Sequence, residues 1–128
     1  MATSVKQLLA SANETVPRVT PDEARTMIAQ GDALLVDVRD SPELAAAGKI
    51  QGAVNVSRGM LEFRADPDSP YYDANFRKDR PVVLYCASGG RSALAAKVLQ
   101  DLGYTNVHNL GAFKDAVAGG MQTQPAAA

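Results

Sequence analysis

The sequence has one cysteine, one histidine and no tryptophan in 128 residues. A lone cysteine excludes an internal disulfide, and no Cys/His cluster has the spacing that holds zinc. No metal and no cofactor are expected. No apolar run approaches the roughly 20 residues needed to cross a bilayer. Residues 1–10 lack a basic stretch followed by an apolar core, so no secretory signal is visible. No internal repeat occurs in the range of about 20–50 residues. The net charge of −1 gives no global field for nucleic acid or an anionic membrane. Neither is expected as a partner, and any anion recognition must be local. The lone, uncrosslinked cysteine suits a reducing, cytoplasmic setting. What remains is an ordinary globular composition, 46% hydrophobic and 21% charged. A chain of this length suits one domain that folds without cross-links.

The stretch around which the chain is organised is Val82-Val83-Leu84-Tyr85-Cys86-Ala87-Ser88-Gly89-Gly90-Arg91-Ser92. An apolar run feeds a glycine-rich turn, which feeds an amphipathic segment ending at Gly103. The cysteine opens the turn. Upstream, residues 4–12 read as a short surface helix, with Val5, Leu8, Leu9 and Ala12 on one face. Residues 16–19 read as an edge strand, because Pro17 cannot donate within a central ladder. Thr20-Pro21-Asp22-Glu23 is a capping box with Pro at the first helical position. Residues 33–38 form a nearly continuous apolar run, the pattern of a strand buried on both faces. A short helix from Ser41 to Ala47, a strand at 53–56 and a helix over 57–65 follow. Residues 66–80 read as a surface excursion with a helical turn near 73–77. A second buried strand is expected at 81–85 and the clearest helix at 91–102. The last strand falls at 107–110, a short helix at 112–118, and residues 119–128 have no core-forming residues and should be a loose tail. Alternation of strands and helices implies an α/β fold with a parallel sheet and helices on both faces. Ligands bind beyond the carboxyl ends of such strands, where residues 37–39, 57–58 and 86–91 fall.

The chemistry of the cysteine follows from that placement. A free thiol has a pKa of about 8.5. Here the unsatisfied N–H groups of a loop and of a first helical turn converge on the sulfur, together with the positive helix end. Gly89 and Gly90 let the backbone fold back, including at positive φ. Arg91 adds a permanent cation. A depressed pKa and a nucleophilic Cys86 are expected. Ala87, Ser88, Gly89, Gly90, Arg91 and Ser92 would line the cradle and hold an anion delivered to the sulfur, or a persulfide formed on it.

These residues resemble the rhodanese (sulfurtransferase) family. Cys86-Ala87-Ser88-Gly89-Gly90-Arg91-Ser92 matches its C-x-x-G-x-R-S pattern. Asp37-Val38-Arg39, with Glu43 four residues on, is similar to its D-x-R segment. Gly48-Lys49-Ile50-Gln51-Gly52-Ala53-Val54-Asn55 is similar to G-H-I-x-G-A-x-N, with Lys49 for His. Gly111-Ala112 stands where a Gly-Gly is common, and Ala116 about where a Trp would follow. The resemblance implies a rhodanese-like fold with five central parallel strands. Its boundaries would be a helical extension over 1–15, the domain over 16–120, and a flexible tail over 121–128. It also implies a mechanism in which Cys86 takes the outer sulfur of a donor such as thiosulfate. A thiol or cyanide acceptor then removes it, a ping-pong exchange. The substrates implied are a small sulfur-containing anion and a thiol acceptor, with a sulfur-accepting protein as a further partner. A non-enzymatic persulfide carrier serving such a partner is the alternative. Related phosphatase and arsenate-reductase domains carry one more residue between Cys and Arg, so the four residues between Cys86 and Arg91 favour sulfur.

Other polar residues have two readings each. Asp37, near the end of a buried strand, needs partners and is expected to give structural support, accepting from loop N–H groups or pairing with Arg39. Arg39 either does so or reaches the pocket to bind an anion. Arg58 is a rim cation or a solvated surface arginine. His108 lies within the last strand, away from the loops of the active face, so no Cys–His dyad is expected. Phe63 and Met60 are expected as packing residues.

Overall fold

The computed structural model describes residues 2–126. In chain order the elements are α1 (Val5–Thr15), α2 (Pro21–Gly31), β1 (Leu34–Asp37), α3 (Ser41–Ala47), β2 (Lys49–Ile50) and β3 (Val54–Asn55). A 3-10 turn (Arg58–Met60) leads into α4 (Leu61–Ala65). Then follow β4 (Val82–Cys86), α5 (Gly90–Asp101), β5 (Val107–Ala112), α6 (Phe113–Ala118) and β6 (Thr123–Gln124). The main sheet is parallel, in the order β3-β1-β4-β5. It places the two apolar runs, β1 and β4, at its centre, and every residue of both is buried.

The sheet has four strands rather than the five expected. The missing one is the segment 16–19, which makes a single parallel bridge from Arg18 to Asn109. Asn109 N–H donates to Pro17 O at 2.9 Å and Val19 N–H to Asn109 O at 3.1 Å. The ladder cannot extend backward because Pro17 has no N–H to give. It cannot extend forward because Thr20 is already the cap of α2. The Thr20 N–H donates to Glu23 and its hydroxyl accepts from the Glu23 N–H.

Side chains alternate across the sheet with a period of two. Leu34 and Val36 of β1 join Val82, Leu84 and Cys86 of β4 on one face, covered by Leu61 and Ala65 of α4 and Ala95, Ala96 and Leu99 of α5. Leu35, Val83 and Tyr85 point to the other face, against Ala24 of α2, Ala116 of α6, Leu110 and Met121. The α1 helix lies outside this double layer, along α5, tied at its end by Gln100 to the Thr15 carbonyl and hydroxyl. Val5 and Leu8 of α1 stay exposed and only Ala12 is buried.

Two further expectations change. The tail expected over 121–128 is packed over its described part. Met121 is buried in the second face, and β6 pairs antiparallel with β2. Burial of one such side chain contributes about 1.5–3 kcal/mol, and the β2–β6 hydrogen bonds add to it. Residues 127 and 128 lie outside the described residues. In the 66–80 excursion the helical turn near 73–77 is replaced by a tight turn in which Phe76 N–H donates to Asp73 O at 3.0 Å. Phe76 is fully buried and pins the segment, whereas Phe63 is exposed, edge-on to Tyr71, instead of packing in the core. No described helix is long and apolar enough to cross a membrane.

Candidate active site

Cys86 is the last residue of β4, and its side chain points to the α5 face. The chain then turns sharply. Gly89 adopts φ +96°, a conformation suited to glycine, and α5 begins at the next residue. A side chain at Gly89 would also meet the Gly111 Cα at 3.4 Å, so the loop folds tightly onto the end of β5. The Gly89 N–H donates to Cys86 Sγ at 3.0 Å. The Ser92 hydroxyl lies 3.5 Å from the sulfur, 2.8 Å from Asn109 Oδ1 and 3.2 Å from Gly89 O. It has one proton to share among these acceptors. Ala87 and Ser88 form the exposed rim.

The sulfur is fully buried. Burial alone pushes the thiol pKa up. The Ser92 hydroxyl and the N–H groups of Ser92, Ser88 and Gly89 outweigh that, leaving Cys86 below its ordinary value. The donors on the sulfur are thus uncharged.

Arg91 is occupied. It makes a bidentate pair with Glu43, Nη1 to Oε2 at 2.7 Å and Nη2 to Oε1 at 2.8 Å. Arg91 and the Asp40 N–H hold the Glu43 carboxyl down at about 2. Glu43 therefore links the start of α3 to the start of α5 across 48 positions of sequence.

Arg39 is occupied too, and it does not reach the loop. It is 3% exposed. Its Nε and Nη2 donate to the Asp37 carboxylate at 2.7–3.1 Å. Its backbone N–H donates to Asp37 Oδ1 at 2.9 Å and its Nη2 to Gly48 O at 2.7 Å. The guanidinium sits 4.3 Å from the Phe113 ring centroid, and Phe113 stacks on Tyr85. This stack fixes the start of α6 against β4. Asn55 closes the same turn, donating to the carbonyls of Asp37 and Arg39. Lys49, in place of His, donates to Ala53 O at 2.9 Å.

Arg58 pairs with Glu62 at 2.9 Å and lines a groove between α1 and α5 with Leu8, Leu94 and Lys97. His108 is half-buried at a depression formed with Val19, Glu23 and Met27, and its Nε2 meets Asn106 Oδ1. Both lie apart from the sulfur. A polar hollow at the ends of β1 and β3 is lined by Asp40, Ser41, Asn55, Ser57, Met60 and Arg64. Among the described residues no group of His, Cys, Asp and Glu is placed to hold a metal ion.

One contributor has no motif to announce it. Asn109 is 1% exposed. Its Oδ1 accepts from Ser92 and from Gly111 N–H, and its Nδ2 donates to Gly89 O at 3.2 Å. It fastens the cysteine loop to β5. The available signal was an asparagine inside an apolar strand, a residue type depleted there.

Comparison with known proteins agrees with this geometry. Residues 20–117 match the family described as the rhodanese-like domain. The human thiosulfate:glutathione sulfurtransferase is 35% identical over 106 residues, covering 77% of this chain and 91% of that protein. Among solved structures, a Rhodopseudomonas palustris protein of unknown function, described as a possible tyrosine phosphatase, superposes with a TM-score of 0.87. It is 39% identical and covers 97% of this chain and 96% of its own. A human single-domain sulfurtransferase superposes with a TM-score of 0.66 at 33% identity, over 80% of this chain and 96% of that one. The chain belongs to the rhodanese-like domain family.

Proposed function

We propose that the protein is a sulfurtransferase that carries sulfur on Cys86 from a small anionic donor such as thiosulfate to a small thiol or cyanide. The observation that carries this reading is the set of uncharged donors on the sulfur, the Gly89 N–H at 3.0 Å and the Ser92 hydroxyl at 3.5 Å. In the first step the Cys86 thiolate attacks the outer sulfur of thiosulfate. A Cys–S–S⁻ persulfide forms, the donor's S–S bond breaks, and sulfite leaves with the bonding pair. In the second step an acceptor thiolate or cyanide attacks the terminal sulfur, taking it as a persulfide or thiocyanate and restoring the Cys86 thiolate. The loop N–H groups are suited to hold the terminal anion in both steps. Full burial of the sulfur favours a slim donor. The polar hollow at the ends of β1 and β3, with Asp40 and Arg64 on its wall, suits an acceptor bearing both charges, as a glutathione-like thiol does.

A phosphatase reading draws on the description of the Rhodopseudomonas palustris structure. The four residues between Cys86 and Arg91, and the commitment of Arg91 to Glu43, weigh against it, because a tetrahedral oxyanion needs a wider loop and a free guanidinium. The test is intact-mass measurement after incubation with thiosulfate, with Cys86→Ser beside the wild type and an aryl phosphate assay in parallel. One added sulfur atom, removable by reductant and absent in the variant, is expected, with no phosphate release. Phosphate release without any sulfur adduct would reverse the assignment. A persulfide that passes rapidly to protein thiols, with poor turnover on cyanide or glutathione, would mark a carrier instead.

A further inference from the structure

The arginines singled out in the sequence have their charge engaged: Arg39 by Asp37, Arg58 by Glu62 and Arg91 by Glu43. Arg18 differs from all three. It precedes the segment 20–117 that matches the family. It is exposed, and no carboxylate among the described residues pairs with it. Its backbone bridges Asn109 in parallel register. Paired residues of a parallel ladder share a sheet face, so the Arg18 side chain rises on the face where Asn109 holds the cysteine loop. The guanidinium lies over Gly111, which has φ +98°, and a Cβ built there would come within 3.1 Å of the Arg18 Cζ. Gly111 in turn backs Gly89, whose own Cβ position lies 3.4 Å from the Gly111 Cα. The Gly89 N–H rests on the sulfur. Arg18, Gly111, Gly89 and Cys86 are thus successive neighbours, with the exposed arginine at one end of the series. Leu9 of α1 closes the next position, its Cδ2 3.8 Å from where a side chain at Gly90 would begin. The segment ahead of the family domain therefore builds one wall of the loop.

We propose that Arg18 is the binding residue that recruits a negatively charged substrate to Cys86; that this substrate is the sulfur donor rests on the function proposed above. An exposed cation acts over about the 8–10 Å Debye length of physiological salt. It raises the local concentration of an anion around the loop without touching the reacting sulfur. Its contribution falls on the encounter, and the uncharged donors of the loop still serve the transfer step.

The single cysteine gives a test that does not depend on sulfur chemistry. Iodoacetate and iodoacetamide differ in charge and share a leaving group, so the ratio of their alkylation rates at Cys86 reads the local potential. The ratio is measured by intact mass for the full-length wild type, Arg18→Gln and Arg18→Lys, with thermal melting to confirm that each is folded. Arg18→Gln is expected to lower the iodoacetate:iodoacetamide ratio about 3- to 10-fold, as one lost charge at that range would. Arg18→Lys should keep most of it, and both differences should shrink at high salt. In thiosulfate turnover, Arg18→Gln should raise KM with kcat held. An unchanged ratio in Arg18→Gln would overturn the proposal. So would an equal fall in Arg18→Lys, which would trace to packing. A wild type that takes no sulfur, with the ratio still falling in Arg18→Gln, would sink the sulfurtransferase reading and leave Arg18 as recruiter of another anion.

Discussion

Two buried acidic groups stand at the carboxyl ends of adjacent strands, Asp37 on β1 and Cys86 on β4, on opposite faces of the sheet. Asp37 pairs in register with Tyr85, one residue before Cys86. Both side chains are fully buried. Asp37 is met by the Arg39 guanidinium, and its charge is neutralised in place. Cys86 is met by N–H and O–H groups alone, while the nearby Arg91 is drawn off by Glu43. At Asp37 the contacting cation takes up both carboxylate oxygens. Uncharged donors stabilise an anion while leaving it free to attack. A cation placed on the sulfur would lower its pKa further, but nucleophilicity falls with pKa. Under the function proposed above, this arrangement would favour the thiolate without masking it.

The comparison breaks first at the structural member. Asp37→Ala leaves the Arg39 charge buried without a partner, which costs about 3–5 kcal/mol. Denaturant unfolding should show that loss, and a change below about 1 kcal/mol would mean that Gly48 O and the Phe113 ring suffice for Arg39. A milder change sharpens the reactive member. Ser92→Ala removes one uncharged donor from the sulfur and leaves the backbone N–H groups. The Cys86 pKa should rise, and alkylation at neutral pH should slow by roughly threefold to tenfold, the scale of one hydrogen bond. An unchanged rate would place the weight on the backbone alone.

The smallest effect is at the partly exposed Arg91–Glu43 pair. The Glu43 pKa is held at about 2, below the ordinary 4.5. A depressed carboxylate contributes stability that is fully present above 4.5 and is lost as pH falls through about 2. Solvent screening limits the pair to about 1 kcal/mol or less. Thermal melts of wild type and Glu43→Gln should differ slightly at pH 6 and converge near pH 2. A gap that widens on acidification would contradict the pairing.

Much of this was legible in the chain. The two continuous apolar runs marked the central strands, because strands buried on both faces have no polar side to show. A cysteine at the end of one run, followed by Gly89 and Gly90, marked the loop. Pairings across long sequence distances were not legible. Glu43 and Arg91 each stand in a motif, but nothing in the chain says that they pair until α3 and α5 bring them together. Asn109 hides within a strand because its hydrogen bonds reach residues 92 and 89. The edge segment at 16–19 falls short of a strand, since Pro17 and the cap at Thr20 leave room for one bridge only. The tail was under-read, because Met121 is a single apolar residue among glycines and glutamines and has no periodicity to display.

The most direct measurement is the pH dependence of Cys86 alkylation by iodoacetamide, an uncharged reagent that reads the thiolate fraction of the protein's single cysteine. The rate should reach its midpoint below the free-thiol value of about 8.5. A midpoint at or above that value would show that burial prevails over the Ser92 hydroxyl and the loop N–H groups, and would contradict the description of Cys86 as a poised nucleophile.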